Sequence, residues 1–186
     1  MKKIVINLTG KNGCGKDTSA RLIKELCEFS YFVDSEIISI ADPIKQVCSI
    51  LTNEPLSNFN DRIKKESKLD NLDITRRDFM VEFTKKTMEL DNNIYWKLTY
   101  SKIKNSKAKL IVITDCRFLE WLEFLENTNE VDSCIFQIDR DNCITQYLPI
   151  DVSSLKQCPV FHVDNNRDQH SLKVQLDFLL YNLLVV

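Results

Sequence analysis

Two hydrophobic periods take turns along this chain. Ile4-Val5-Ile6-Asn7-Leu8 is a β-branched run of strand length. Thr18 to Phe29 then places Ala20, Ile23, Leu26 and Cys27 on one helical face, with charged residues opposite. The pattern predicts a second strand over Glu36 to Ala41. It predicts a helix from Pro43 to about Leu51, with Asp42 as N-cap and the proline at the first helical position. Residues 53 to 74 are polar and asparagine-rich, which predicts a mobile excursion with one short helix. Thr75-Arg76-Arg77-Asp78 reads as a capping box opening a helix to about Leu90. Asp91-Asn92 interrupts before another helix through Tyr95, Trp96 and Leu98.

The second half continues the alternation. Lys109 to Thr114 is an apolar strand ending at Asp115, and Phe118 to Asn127 is helical with Trp121, Leu122 and Leu125 as its stripe. Strands are predicted over Ser133 to Asp139 and Pro159 to Val163, and a last helix over Asp168 to Leu184, while Arg140 to Cys158 shows no period. Strands alternating with helices imply an α/β fold with a parallel sheet covered on both faces. With no internal repeat or linker, the 186 residues read as a single domain large enough to bury a core.

Glycine usage singles out one stretch. At about 7% usage a chain this long carries roughly 13 glycines, yet this one has three, all between Gly10 and Gly15. Gly10-Lys11-Asn12-Gly13-Cys14-Gly15-Lys16 fits G-x-x-x-x-G-K, directly after a strand and before a helix. Glycines let backbone N–H groups curl around a phosphate. The helix that follows turns its positive end toward the same anion, and Lys16 can bridge β- and γ-phosphates. The loop from Gly10 to Thr18 is therefore the candidate ATP site. Asp17 stands where Ser or Thr usually ligates Mg²⁺, with the hydroxyl one residue later at Thr18. A switch GTPase is disfavoured, because its Asp-x-x-Gly element needs a glycine and none follows Gly15.

Other chemistry-bearing residues fall at element ends. Asp115, closing a strand, is a candidate to hold Mg²⁺ through water or to orient the acceptor. Arg76, Arg77, Arg117 and Arg140 offer planar forks suited to phosphate. His162 and His170 have no nucleophile pattern beside them. No general base is required where the acceptor is itself an anionic phosphate. A net charge of −2 and a pI near 5.8 give no footprint for nucleic acid. The N-terminal apolar run is too short for a signal peptide or membrane span, so a cytoplasmic location is expected. Seven scattered cysteines without a C-x-x-C pair read as reduced thiols, with Cys14 an oxidation-sensitive candidate.

These residues carry a resemblance. Gly15-Lys16-Asp17-Thr18 resembles the loop of the bacteriophage-type deoxynucleoside monophosphate kinases, and Gly-Lys-Asp alone also resembles the phosphomevalonate kinases. Ile40-Ala41-Asp42-Pro43-Ile44-Lys45, Thr75-Arg76-Arg77-Asp78, Asn93-Ile94-Tyr95-Trp96, Asp115-Cys116-Arg117, Ile138-Asp139-Arg140 and Val160 to Asn166 resemble further segments of the phage-type family in order. The chain departs from that family at Thr84-Lys85, where it has Gly-Thr, and at Trp121, where it has glutamate.

The resemblance implies a P-loop kinase three-layer sandwich with a five-stranded sheet in the order 2-3-1-4-5. It also implies an acceptor-binding insertion at about 53–92 and a lid-like segment at about 140–158. On this reading Lys16, Arg77, Asp115, Arg117 and Arg140 are catalytic, and Asn165 joins the loop in binding ATP. Asp42, Lys45, Arg76, Arg77, Trp96 and Arg117 bind the acceptor, and Asp17, Thr18 and Asp115 organise Mg²⁺. The implied partner is a deoxynucleoside monophosphate, with a homodimer compatible. Phosphomevalonate kinase and an inactive nucleotide-binding relative are the alternatives. Abundant Asn, Ile and Lys fit an AT-rich, viral or phage source.

Overall fold

β1 (Lys3–Thr9) sits at the centre of a five-stranded parallel sheet ordered β2-β3-β1-β4-β5, the order expected. Its partners are β2 (Ser35–Ile38), β3 (Leu110–Ile113), β4 (Val131–Asp139) and β5 (Val160–Asp164). This computed structural model describes residues 2–141, 143, 150, 155 and 158–185. Most of the lid-like segment at 140–158 therefore lies outside the described residues. The chain divides into two compact units, Met1–Ser39 with Ile103–Val186, and Ile40–Lys102. The insertion bounds expected at 53 and 92 fall inside the second unit.

In the first unit the two-residue period of the strands separates two cores. Ile6, Leu8, Leu110, Val112, Phe136, Ile138 and Val163 pack with α1 (Lys16–Leu26) and α7 (Gln169–Leu184). On the other face of β1, Asn7 is fully buried and accepts a hydrogen bond from Trp121 Nε1 of α6 (Leu119–Thr128) at 2.8 Å. Its Nδ2 donates to Ser133 Oγ at 2.9 Å and to the Cys134 carbonyl at 3.1 Å, so the buried amide is satisfied in both directions. Trp121, a departure from the phage-type pattern, is spent in this core.

α1 starts at Lys16 itself, two residues earlier than expected, and gives way at Cys27–Tyr31 to a wider turn. β2 stops at Ile38 rather than Ala41. Among the described residues no helix is long and apolar enough to cross a membrane.

The second unit is built on α2 (Asp42–Thr52), α3 (Leu56–Asn60), α4 (Arg76–Met88) and most of α5 (Ile94–Asn105). Asp42 is not the N-cap of α2: Ala41 already has helical angles and takes that position, which puts Asp42 in the first turn and Pro43 after it. Thr75 caps α4 as expected, its Oγ1 accepting from the Asp78 amide at 3.0 Å. Cys48, Phe59 and Leu69 form a small apolar core with Ile44, Ile74, Phe79, Met80 and Phe83 around it.

The expected mobile excursion is instead tied down, and the tie is Arg76. This side chain, grouped above with the acceptor-binding residues, is 6% exposed. Its Nε pairs with Glu54, and its Nη1 donates to the carbonyls of Lys64, Ser67 and Lys68 at 3.3, 3.2 and 2.8 Å. Nη2 reaches Asp70 at 3.4 Å. Five contacts inside the unit, made by all three guanidinium nitrogens, leave Arg76 a structural cation rather than an acceptor ligand. The polar composition that suggested disorder supplies the carbonyls and carboxylates that a buried guanidinium requires.

Burial works to raise the Glu54 carboxyl, but hydrogen bonds from Arg76, Asn58 and the Asp70 amide outweigh it and hold the group below the ordinary glutamate range. The pair's contribution is therefore complete above the unfolded value of about 4.3 and is lost as pH falls through the lower folded value. Glu54→Gln and Arg76→Met should each destabilise the protein by about 3–5 kcal/mol at pH 7, because each strands one buried partner. In urea titrations the deficit of Glu54→Gln should shrink as pH falls below the unfolded value of about 4.3. A deficit that does not change with pH would contradict this account.

Candidate active site

Between the end of β1 at Thr9 and the start of α1 at Lys16 the chain reverses through six residues. Gly10, Gly13 and Gly15 have φ of 135°, 83° and 107°, in the region that L side chains avoid. Space as well as angle excludes a side chain at two of them. A Cβ at Gly10 would lie 2.4 Å from the Ile138 carbonyl oxygen of β4, and one at Gly15 would lie 2.2 Å from Asn165 Nδ2. Gly15 is also the N-cap of α1 and offers no side chain to its first-turn amides. Those N–H groups and the positive end of the helix are available to an anion.

Lys16 closes over this loop. Its ammonium donates to the carbonyls of Gly10 at 2.8 Å and Lys11 at 2.9 Å, and lies 3.7 Å from Cys14 Sγ. Cys14 is fully buried, and burial pushes its thiol up while Lys16 pulls against the shift. All the described cysteines are free thiols, as expected. Asp17 is exposed and Thr18 half-buried, both in the first turn of α1.

Because the strands are parallel, their carboxyl ends share one edge of the sheet. The phosphate loop, Asp115, Arg117, Arg140 and Asn165 all lie at that edge. Asp115 follows β3, is half-buried, and accepts a hydrogen bond from Ser39 Oγ at 2.7 Å. Arg117 and Arg140 are exposed. Asn165 follows β5, is 9% exposed, and donates from Nδ2 to the Cys14 carbonyl at 2.6 Å. Its backbone N–H is held by the Asp139 carbonyl at 2.8 Å. Two participants escaped the sequence reading: Ser39, which steadies Asp115, and the Ile138 carbonyl, which forbids a side chain at Gly10. Neither has a local signature, since each acts through a chain segment far away in sequence.

The remaining predicted residues belong to the second unit. Asp42 Oδ1 and Lys45 Nζ are 3.6 Å apart on the first turn of α2. Arg77 donates from Nε to Glu66 at 2.6 Å, and its Nη2 lies 2.5 Å from the same carboxylate. That hydrogen bond holds the Glu66 carboxyl below its usual range. Trp96 is 4% exposed, and its neighbour Tyr95 shares a 2.5 Å hydroxyl contact with Thr87 of α4. At the other departure, Thr84 bonds the Met80 carbonyl within α4 at 2.7 Å, and Lys85 pairs with Glu82 at the surface at 2.6 Å. Among the described residues there is no cluster of three His, Cys, Asp or Glu side chains able to hold a metal without further ligands.

Comparison with known proteins agrees with this fold. A family model described as phosphomevalonate kinase matches residues 8–131. No curated protein matches the chain. Among solved structures, a candidate kinase from Chloroflexus aurantiacus aligns at TM-score 0.57 and 14% identity, covering 98% of this chain and 97% of that one. Kti12 from Chaetomium thermophilum, solved in complex with ADP-AlF3, aligns at TM-score 0.54 and 15% identity, over 98% of this chain and 100% of its own. TT1252 from Thermus thermophilus aligns at TM-score 0.53 and 15% identity, over 98% and 99%. Identities this low establish a common fold, and the five-stranded sheet with its phosphate loop is that fold. The family match starts inside β1 and runs through the loop, the whole second unit and β3 to the start of β4, and on that extent the chain belongs to the phosphomevalonate kinase family.

Proposed function

We propose that the chain transfers the γ-phosphoryl group of ATP to a deoxynucleoside monophosphate, giving the diphosphate. The observation that carries the phosphoryl-transfer part of the reading is the loop: three glycines at positive φ running into an uncapped helix N-terminus, with Lys16 folded over them. A concave run of amides beside a cation suits a polyphosphate. In the proposed complex the Lys16 ammonium exchanges two neutral carbonyls for β- and γ-phosphate oxygens, a stronger, charge-assisted pairing.

Arg117 and Arg140 lie at the same sheet edge and supply forks for the transferring group. On the acceptor side Arg77 would exchange Glu66 for the monophosphate, with Lys45 as a second cation and Asp42 and Trp96 beside them. Asp17, Thr18 and Asp115 provide oxygen donors of the kind Mg²⁺ takes when phosphates and water complete its shell. Bound there, the ion would neutralise charge on the β- and γ-oxygens. The acceptor is already an anion at neutral pH, so the protein's task is alignment and charge cancellation.

Phosphomevalonate is the second acceptor considered, and the family match over residues 8–131 favours it. Thr18 and the Thr75-Arg76-Arg77 segment favour the nucleotide. Both acceptors are phosphomonoesters, so the ATP side is common to the two readings.

A coupled ADP-release assay with the four deoxynucleoside monophosphates and phosphomevalonate separates them. Turnover with at least one deoxynucleotide and none with phosphomevalonate is expected, and the reverse result would replace the first reading by the second. Lys16→Ala should lower kcat by about 10²- to 10³-fold with an unchanged circular dichroism spectrum; turnover near that of the wild type would sink the role given to Lys16.

A further inference from the structure

The peptide joining Cys14 to Gly15 is a weak point in the loop. Gly15, on one side of this peptide, has no Cβ, so the steric barrier to rotation is low on that flank. A rotated peptide would present a carbonyl where an anion needs an N–H. Something outside the loop has to hold it, and one side chain does. Asn165, 151 positions away, donates its Nδ2 hydrogen to the Cys14 carbonyl at 2.6 Å in a buried contact. Asn165 is itself anchored, since its own N–H is bound to the Asp139 carbonyl at 2.8 Å. The next residue, Asn166, accepts the Asp141 amide at 2.7 Å and is braced by Asp164 at 2.7 Å.

Chemistry leaves no choice about which end of the amide faces Cys14, because a carbonyl oxygen can only accept. In a planar trans peptide the carbonyl and the following N–H point in opposite directions. A Cys14 carbonyl tied to Asn165 therefore turns the Gly15 N–H away from Asn165. The amide also fills the space where a Cβ of residue 15 would sit, 2.2 Å from Nδ2, so this placement of Asn165 needs a glycine at position 15.

We infer that Asn165 is a positioning residue for the phosphate loop, its side-chain amide fixing the Cys14–Gly15 peptide with the Gly15 N–H toward the bound phosphates. This deepens the kinase reading and rests on it. It differs from the role the family resemblance implies for Asn165, which is direct contact with ATP.

The test uses the full chain as wild type, Asn165→Ala and Asn165→Asp, titrated calorimetrically with ATP and with inorganic tripolyphosphate, a probe that has no base. Thermal melts and steady-state KM values accompany the titrations. Asn165→Asp keeps the shape of the side chain and lacks the donor. Both variants should bind both probes about tenfold or more weakly, the loss expected for one buried hydrogen bond. KM for ATP should rise while KM for the acceptor stays within about twofold.

Weaker ATP binding with tripolyphosphate binding unchanged would overturn the inference in favour of base contact. So would an Asn165→Asp protein indistinguishable from wild type, or a wild type that binds ATP but not tripolyphosphate. If the wild type binds neither probe, the nucleotide reading falls and this inference falls with it. If it binds both and the variants match it, only the positioning role fails.

Discussion

The loop after β1 must reverse the chain within six residues while its first residue lies against the backbone of β4. The 2.4 Å that would separate a Gly10 Cβ from the Ile138 carbonyl makes this a constraint on the backbone rather than a preference. From it follows the placement of α1, which starts at Lys16 with no side-chain cap and a positive terminus turned to the loop. The apolar faces of β1, β3, β4 and β5 then close over α1 and α7 to hold that helix in place. The sheet supplies rigidity and the glycines supply an otherwise forbidden turn, so that a loop of main-chain amides becomes a fixed object rather than one conformer among many.

A different kind of constraint organises the second unit. The apolar cluster beneath α2 and α4 is small, three buried side chains with five partly buried neighbours. The segment between α2 and α4 is held instead by a buried guanidinium whose every nitrogen is committed. A pair of this sort adds little net stability over an apolar substitute, but losing either member leaves a desolvated charge. Its effect is to tie the segment at several points at once: the Lys64, Ser67 and Lys68 carbonyls meet Nη1 while Glu54 meets Nε.

The cations suited to phosphate chemistry are held by the protein's own acceptors. Lys16 is bound to loop carbonyls and Arg77 to Glu66. Such pairs hold long side chains in a few conformers and cut the entropy lost when an anion takes the acceptor's place. Arg76 shows the limit of this idea, because its partners are too many and too buried to be exchanged. Adjacent arginines of the same chemistry thus differ in the depth at which the backbone places them, Arg76 buried and Arg77 half-buried.

The phosphate loop, the alternation of strands and helices and the capping of α4 by Thr75 were legible in the sequence, because each is encoded within a few consecutive residues. Strand order entered through resemblance, and the sheet bears it out. The sequence could not show that Arg76 is buried while Arg77 stays near the surface, foresee that a polar segment would wrap a buried ion pair, or say that Trp121 serves Asn7. Nor could it show that Asn165 reaches the loop, a contact spanning 151 positions. Local rules determine which backbone shapes a stretch of chain can adopt. Which side chains end in the dark, and against which distant carbonyl, is decided only when the whole chain has packed, since burial and long-range hydrogen bonds are properties of the assembled fold.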